Sequence, residues 1–140
     1  MGEFRQLSAA DLERVRGASV ARLATIRPDG VPHLVPITFA FDGEAVVTAV
    51  DGKPKSTTNL QRLRNIAAHP TVSVLVDSYA EDWTQLWWVR IDGVAEVVLD
   101  GLGHASAIEA LVTKYRQYRQ QPPAGPVIRI RPSRMTSWHG

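Results

Sequence analysis

At 140 residues and 44% apolar composition, the chain can build one real core and is too short for two domains. It has no cysteine, which excludes a disulfide framework, a thiolate nucleophile and a sulfur metal site; the net charge of +2, from 16 Lys/Arg spread among 14 Asp/Glu, leaves no basic, aromatic-interleaved stripe for nucleic acid. No apolar run approaches the ~20 residues of a membrane span, and Met1-Gly-Glu-Phe-Arg-Gln6 lacks the apolar centre of a signal peptide, so a single cytoplasmic domain over residues 1–140 is expected.

Ser8-Ala-Ala-Asp11 reads as the capped start of a short helix whose inner face holds Leu7, Leu12 and Val15 and which Gly17 ends. Ser19 to Ile26 alternates as a strand. Pro28-Asp-Gly30 turns the chain into a second strand, Val31 to Phe41, and Asp42-Gly43 turns it again into a third, Glu44 to Val50. Leu60, Leu63, Ile66 and Ala67 recur at helical spacing until His69-Pro70 stops them. A fourth strand, Thr71 to Asp77, precedes a long one from Leu86 to Leu99, where Asp92-Gly93 predicts a bulge or bend. A third helix is expected from about Asp100 to Tyr118, a Pro/Gly linker after it, and a last strand over Val127-Ile-Arg-Ile-Arg131. Six antiparallel strands in hairpin order with peripheral helices resolve their exposed edges by curling into a barrel, which gives a mainly β fold with α elements.

The segment Lys53-Pro-Lys-Ser-Thr-Thr-Asn-Leu60 places two lysines and three hydroxyls where a strand gives way to a helix. Free N–H groups and the positive end of the helix dipole suit an anion there, and Lys53 and Lys55 add full charges, with Ser56, Thr57 and Thr58 as further donors. The same octet also reads as a plain capping box, Thr58 with Gln61, beside solvated lysines. In Trp87-Trp-Val-Arg-Ile91 both faces are apolar, so one of them meets a subunit interface or a flat ligand, and at most one of Trp87 and Trp88 lines the interior. His33, His69, His104 and His139 have no metal-ligand spacing, so no metal is expected; His69 suits a helix C-terminus, and His33 is a candidate to face a ligand. Neither a Gly-x-Ser-x-Gly elbow nor a phosphate-binding loop occurs, so no catalytic residue is assigned and an enzyme here takes its chemistry from a cofactor.

The order and spacing of four segments resemble the split β-barrel flavin and deazaflavin oxidoreductases related to pyridoxamine 5′-phosphate oxidase. They are Leu23-Ala-Thr-Ile-Arg-Pro-Asp-Gly-Val-Pro-His33; Val35-Pro-Ile-Thr-Phe39; Lys53 to Leu60 followed by Arg62, Asn65 and Pro70; and Val72-Ser-Val-Leu-Val-Asp77. Tyr79-Ala-Glu-Asp-Trp83 with Leu86-Trp-Trp-Val-Arg90 resembles the actinobacterial branch assigned to coenzyme F420. The resemblance implies a six-stranded split barrel and a homodimer with the cofactor in a cleft between two subunits. It also implies an anionic tail on Lys53, Lys55, Ser56, Thr57 and Asn59, and a ring bordered by Pro36, Ile37 and Thr38 with Trp88 as a further contact. The chain stops at Trp138-His-Gly140, short of the segment that completes the vitamin site in true pyridoxamine phosphate oxidases. The function it implies is an F420-dependent oxidoreductase acting on a small unsaturated or quinone-like substrate, with solvent or Tyr79 as proton donor. FMN is the alternative cofactor, and a non-catalytic carrier or sensor of flavin, F420 or haem the alternative role.

Overall fold

A computed structural model of the chain describes residues 7–50 and 57–140, with residues 57–60 described by their place in a helix alone. Helix α1, Ala9–Gly17, starts where the Ser8 hydroxyl accepts the Asp11 N–H at 3.1 Å, as the capping pattern requires. Strands β1 (Ala21–Ile26) and β2 (Pro32–Ile37) pair antiparallel across a turn in which Gly30 takes a φ of 88°. Strand β3, Ala40–Asp42, pairs with β4, Ala45–Ala49. Helix α2 is Thr57–Ala68, followed by β5, Thr71–Ser78, a single 3₁₀ turn at Trp83–Gln85, and β6, Trp87–Val98. Helices α3 (Gly101–Lys114) and α4 (Arg116–Gln120) lead to β7, Val127–His139.

The sheet therefore has seven strands, in the order β2-β1-β5-β6-β7-β4-β3, and not six. The extra strand arises because the expected run Val31 to Phe41 breaks at Thr38–Phe39. Strands β2 and β3 sit at opposite ends of the sheet order yet are joined by these two residues, which span roughly 10 Å at most. The sheet has to curl until its edges meet at that seam. The two seam residues lie outside the strand ladders, so side chains satisfy their backbone. Thr48 Oγ1 donates to the Thr38 carbonyl at 2.6 Å. The Tyr115 hydroxyl accepts the Phe39 N–H at 3.0 Å and lies 3.0 Å from the Phe39 carbonyl and 2.9 Å from that of Ser19.

The same contact explains why the third helix of the sequence is two helices. Tyr115 leaves the helical conformation (φ −110°, ψ 119°) and carries its hydroxyl to the seam. Two smaller differences have local causes. Asp42 stays on β3, bound by Arg129 Nη1 and Ser106 Oγ, both at 2.7 Å, so the hairpin loop is Gly43–Glu44, with Gly43 at φ 61°. The final strand runs on from Arg131 to His139 because Pro132 falls at a register shift opposite Asp92/Gly93, where Ser133 is the extra residue and the missing N–H is harmless. A side chain at position 93 would meet the Arg131 carbonyl at 2.5 Å, so only glycine allows this approach.

The inner face of the sheet carries Leu23, Phe39, Val74, Val89, Ile91 and Ile130, all fully buried, with Val15 of α1 and Ile66 of α2 closing the ends. Each such side chain contributes about 1.5–3 kcal/mol relative to an exposed one. A second, smaller core forms where Ala107 and Leu111 of α3 lie on Val47 and Val127.

Lys114 is the exception in this packing. Its amine is buried 3.8 Å above the Phe39 ring and has no hydrogen-bond partner among the described residues; burial pushes its pKa down to about 8. An unfolded Lys114 holds its proton up to about 10.5, so between these values the unfolded state binds more protons and stability rises with pH. Tyr115 acts oppositely above about pH 10: burial raises its pKa, the unfolded phenol ionises first, and stability falls. Urea midpoints measured from about pH 7 to about pH 10 are expected to climb for the parent and to stay flatter for Lys114→Met, with the variant more stable near pH 7 by about 1 kcal/mol. A variant profile as steep as the parent's would assign the titration to another group.

Candidate functional site

The period of two along each strand divides the sheet into a buried inner face and an open outer one. The register sets Pro36, Arg22, Leu75 and Arg90 in one row across β2, β1, β5 and β6, with Leu34, Ala24 and Ser73 in a neighbouring row and Asp77, Trp88 and Trp138 in another. None of these side chains enters the core, and Leu34 is 67% exposed. All of them but Pro36 and Trp138 line, with Tyr79, an open groove of about 570 Å³. Tyr79 and Trp88 also line an adjoining recess of about 410 Å³, walled by Trp83, Leu86 and Trp138.

The recess depends on two pieces of local structure. Asp82 caps the 3₁₀ turn by accepting from the Thr84 N–H and hydroxyl, at 3.0 and 2.7 Å, which holds Trp83 over the strand end. The extension of β7 then brings Trp138 opposite Trp88. Charges border the groove and do not fill it. Arg22 pairs with Asp77 at 3.2 Å and Arg90 with Asp92 at 3.4 Å, both partly exposed pairs worth no more than about 1 kcal/mol each. The Arg90 guanidinium lies 5.8 Å from the Trp88 ring centre.

Of the sequence-derived site residues, Lys53, Lys55 and Ser56 lie outside the described residues, and Thr57 and Asn59 fall in the first turn of α2. Thr58 is inside that helix, and the Gln61 amide donates to Asn65 Oδ1 at 2.7 Å. Pro36 and Trp88 share the outer face, but three strand spacings, roughly 14 Å, separate their strands within one chain. Ile37 turns its side chain into the core and offers only backbone to a ligand. Thr38 is half-buried at the seam, with its hydroxyl 2.7 Å from that of Tyr118. Trp87 packs on the inner core, so the two tryptophans do face opposite ways. His33 pairs with Thr25 on the inner face, with Nδ1 buried and without a hydrogen-bond partner among the described residues, and does not line the groove.

Several residues of this region were not legible in the sequence. Leu34, Leu75 and Trp138 share the outer face only through strand order and register. Tyr115 and Tyr118 carried one signal, two hydroxylated aromatics at a three-residue spacing near a helix end. Asn65 was visible only as part of the resemblance. It is fully buried in α2 and donates to the Thr25 hydroxyl at 2.9 Å, so the Gln61–Asn65–Thr25 chain ties the helix to β1. Arg62 is buried beside it, which lowers its pKa.

The donor set suits a flat, largely apolar ring with anionic substituents. Aromatic faces and aliphatic side chains form the floor, two guanidiniums stand at the side, and α2 begins at Thr57. Among the described residues no three His, Asp or Glu side chains converge as metal ligands, and no helix is long and apolar enough to cross a membrane.

This fold is a split β-barrel with helices packed around it. The family model described as pyridoxamine 5′-phosphate oxidase matches residues 7–139, and the chain belongs to that family. It is 30% identical over 129 residues to the 5a,11a-dehydrotetracycline/5a,11a-dehydrooxytetracycline reductase of Streptomyces rimosus, covering 91% of this chain and 80% of the relative. Among solved structures it is similar to the conserved hypothetical protein Rv2991 of Mycobacterium tuberculosis, with a TM-score of 0.77 and 25% identity over 96% of this chain and 86% of the other. A FAD-binding protein of Mesorhizobium loti shares the fold, with a TM-score of 0.70 and 23% identity over 95% of each chain.

The Asn65 chain makes a specific demand on stability. Asn65→Ala removes two hydrogen bonds and leaves the buried Thr25 hydroxyl without its donor, so urea unfolding is expected to show a loss of about 2–3 kcal/mol. A loss under about 0.5 kcal/mol, the range of ordinary surface substitutions, would mean the chain does not anchor α2.

Proposed function

We propose that this protein is a homodimeric oxidoreductase that binds coenzyme F420 and moves hydride between it and a small unsaturated or quinone-like molecule. The observation that carries the reading is the continuous groove and aromatic recess on the outer sheet face, an apolar surface that a monomer would leave in water. The Streptomyces rimosus relative, named as a reductase of a small molecule, supports oxidoreductase chemistry and a small-molecule substrate. Pro36 and Trp88 are too far apart in one chain to hold one ring, and a second copy applied to the outer face would supply the missing wall.

When bound, the deazaflavin supplies the hydride chemistry. The chain's own task is binding, orientation and exclusion of water. Lys53 and Lys55, with Ser56, Thr57 and Asn59 at the start of α2, are assigned to the anionic tail, where the helix dipole and full charges act together. Pro36, the Ile37 backbone and Thr38 border the ring, and Trp88 offers a face for stacking. Tyr79, 74% exposed at the rim shared by groove and recess, is positioned to exchange a proton with solvent and a substrate. FMN is the second reading, favoured by the FAD-binding neighbour and by the same flat ring and anionic tail.

Titration with F420 and with FMN, followed by cofactor fluorescence, tests the reading. F420 is expected to bind more tightly by about 1 kcal/mol, because its more highly charged tail is still partly screened by solvent. Lys55→Ala is expected to weaken binding by roughly 1.5–3 kcal/mol with little change in folding. Equal affinities, or a yellow protein that keeps FMN through purification, would favour the flavin reading; unaltered binding by both Lys53→Ala and Lys55→Ala would leave the octet a helix cap.

The dimer has its own test. The outer face is expected to bury more than roughly 1,000 Å² per pair, and sedimentation at micromolar concentration should show twice the chain mass, with Leu34→Asp shifting the protein toward monomer. A 15.4 kDa species for the parent would overturn the dimer.

A further inference from the structure

We propose that Tyr118 is a positioning residue for the cofactor: its phenol donates to Thr38 Oγ1 and so leaves the Thr38 hydrogen free to donate to an acceptor atom on the bound ring. The inference rests on the reading above that Thr38 borders that ring.

The geometry narrows the choice of donor. The two hydroxyl oxygens are 2.7 Å apart, close enough for a strong O–H···O bond, and each group brings one hydrogen. The phenol is the stronger acid of the two, so it is the better donor and the threonine oxygen the better acceptor. The Thr38 carbonyl accepts from Thr48 at 2.6 Å, and among the described residues no bond runs to it from Thr38 Oγ1. No other described side chain or carbonyl accepts the Thr38 hydroxyl hydrogen either. A half-buried hydroxyl with its oxygen occupied by the phenol can turn its hydrogen to solvent or, when a ligand is bound, to an acceptor on it. Both candidate cofactors carry carbonyl oxygens and ring nitrogens able to accept it.

The support around Tyr118 suits positioning. Its ring packs edge-on against Tyr115 at 5.5 Å and 72°, and Tyr115 is itself bonded to the next residue of the seam, Phe39. The junction of α3 and α4 thus holds both residues of the two-residue link, the backbone of one and the hydroxyl of the other. Neither Tyr118 nor Thr38 lines the groove or the recess of one chain, and the bond between their hydroxyls is what would connect Tyr118 to a ring that Thr38 borders.

The test uses the full chain with F420 and FMN as probes, reading dissociation constants, the position of the ring absorption band and the melting temperature. Tyr118→Phe keeps the ring contact with Tyr115 and removes only the hydroxyl. It is expected to weaken binding roughly fivefold, the worth of one hydrogen bond, and to shift the absorption band. Thr38→Val is expected to weaken binding at least as much, Thr38→Ser to restore it, and the double variant Tyr118→Phe/Thr38→Val to bind no worse than Thr38→Val alone. Should Tyr118→Phe melt too low to assay, the Thr38→Val and Thr38→Ser pair decides the point, since both keep Tyr118. Parent-like binding and an unshifted band for Tyr118→Phe, or for Thr38→Val, would overturn the proposal while leaving the cofactor reading intact. Multiplicative losses in the double variant would overturn the linkage between the two hydroxyls. A parent protein that binds neither cofactor would defeat the functional reading, and this inference with it.

Discussion

The structure depends on the two-residue link between β2 and β3. These strands are the opposite edges of a seven-stranded sheet, and a link of two residues forces the edges together. The link leaves two residues whose backbone groups no ladder can satisfy. Tyr115 from the helical layer and Thr48 from β4 supply the partners of that backbone, while Tyr118 meets the Thr38 hydroxyl. Barrel closure, the break between α3 and α4, and the posture of Thr38 are therefore one constraint seen from three sides.

Burial of Lys114 follows from the same arrangement. For Tyr115 to reach the seam, the end of α3 must lie against Phe39, and the residue before Tyr115 then sits over that ring. The Phe39 face offsets part of the desolvation of the amine. A neutral apolar residue would fill the place with less penalty near neutral pH, so Lys114 is the kind of local conflict with burial that stability alone does not explain.

The two faces of the sheet divide the work of stability and function. Aliphatic residues dominate the inner face, with Lys114 over Phe39 and the polar groups near α2 as exceptions, whereas the outer face collects aromatic and aliphatic side chains with paired arginines at the side. Trp87 and Trp88 mark the division within one dipeptide: the first joins the core, and the second forms the boundary between groove and recess. Adjacent side chains on a strand point oppositely, so a ligand surface can sit one residue from the core without disturbing it.

The sequence by itself determined the local elements. The Ser8 cap, the Pro28–Gly30 turn, the stop at His69-Pro70, the irregularity at Asp92-Gly93 and the opposed tryptophans all follow from rules acting over a few residues, and the order of motifs identified the family. The Gly43–Glu44 loop was misplaced by one residue because Asp42 is held by Arg129, 87 positions away. The break at Thr38–Phe39 and the length of β7 were missed for the same kind of reason. Tyr115 meets Phe39 across 76 positions, and Pro132 is tolerated only because Gly93 lies opposite. Tertiary structure alone decided the outer groove, since Leu34, Leu75 and Trp88 come from three strands and share a face only once strand order and register are set. Local propensity is written in neighbouring residues; which distant strand becomes a neighbour is decided by the burial of the whole inner face at once.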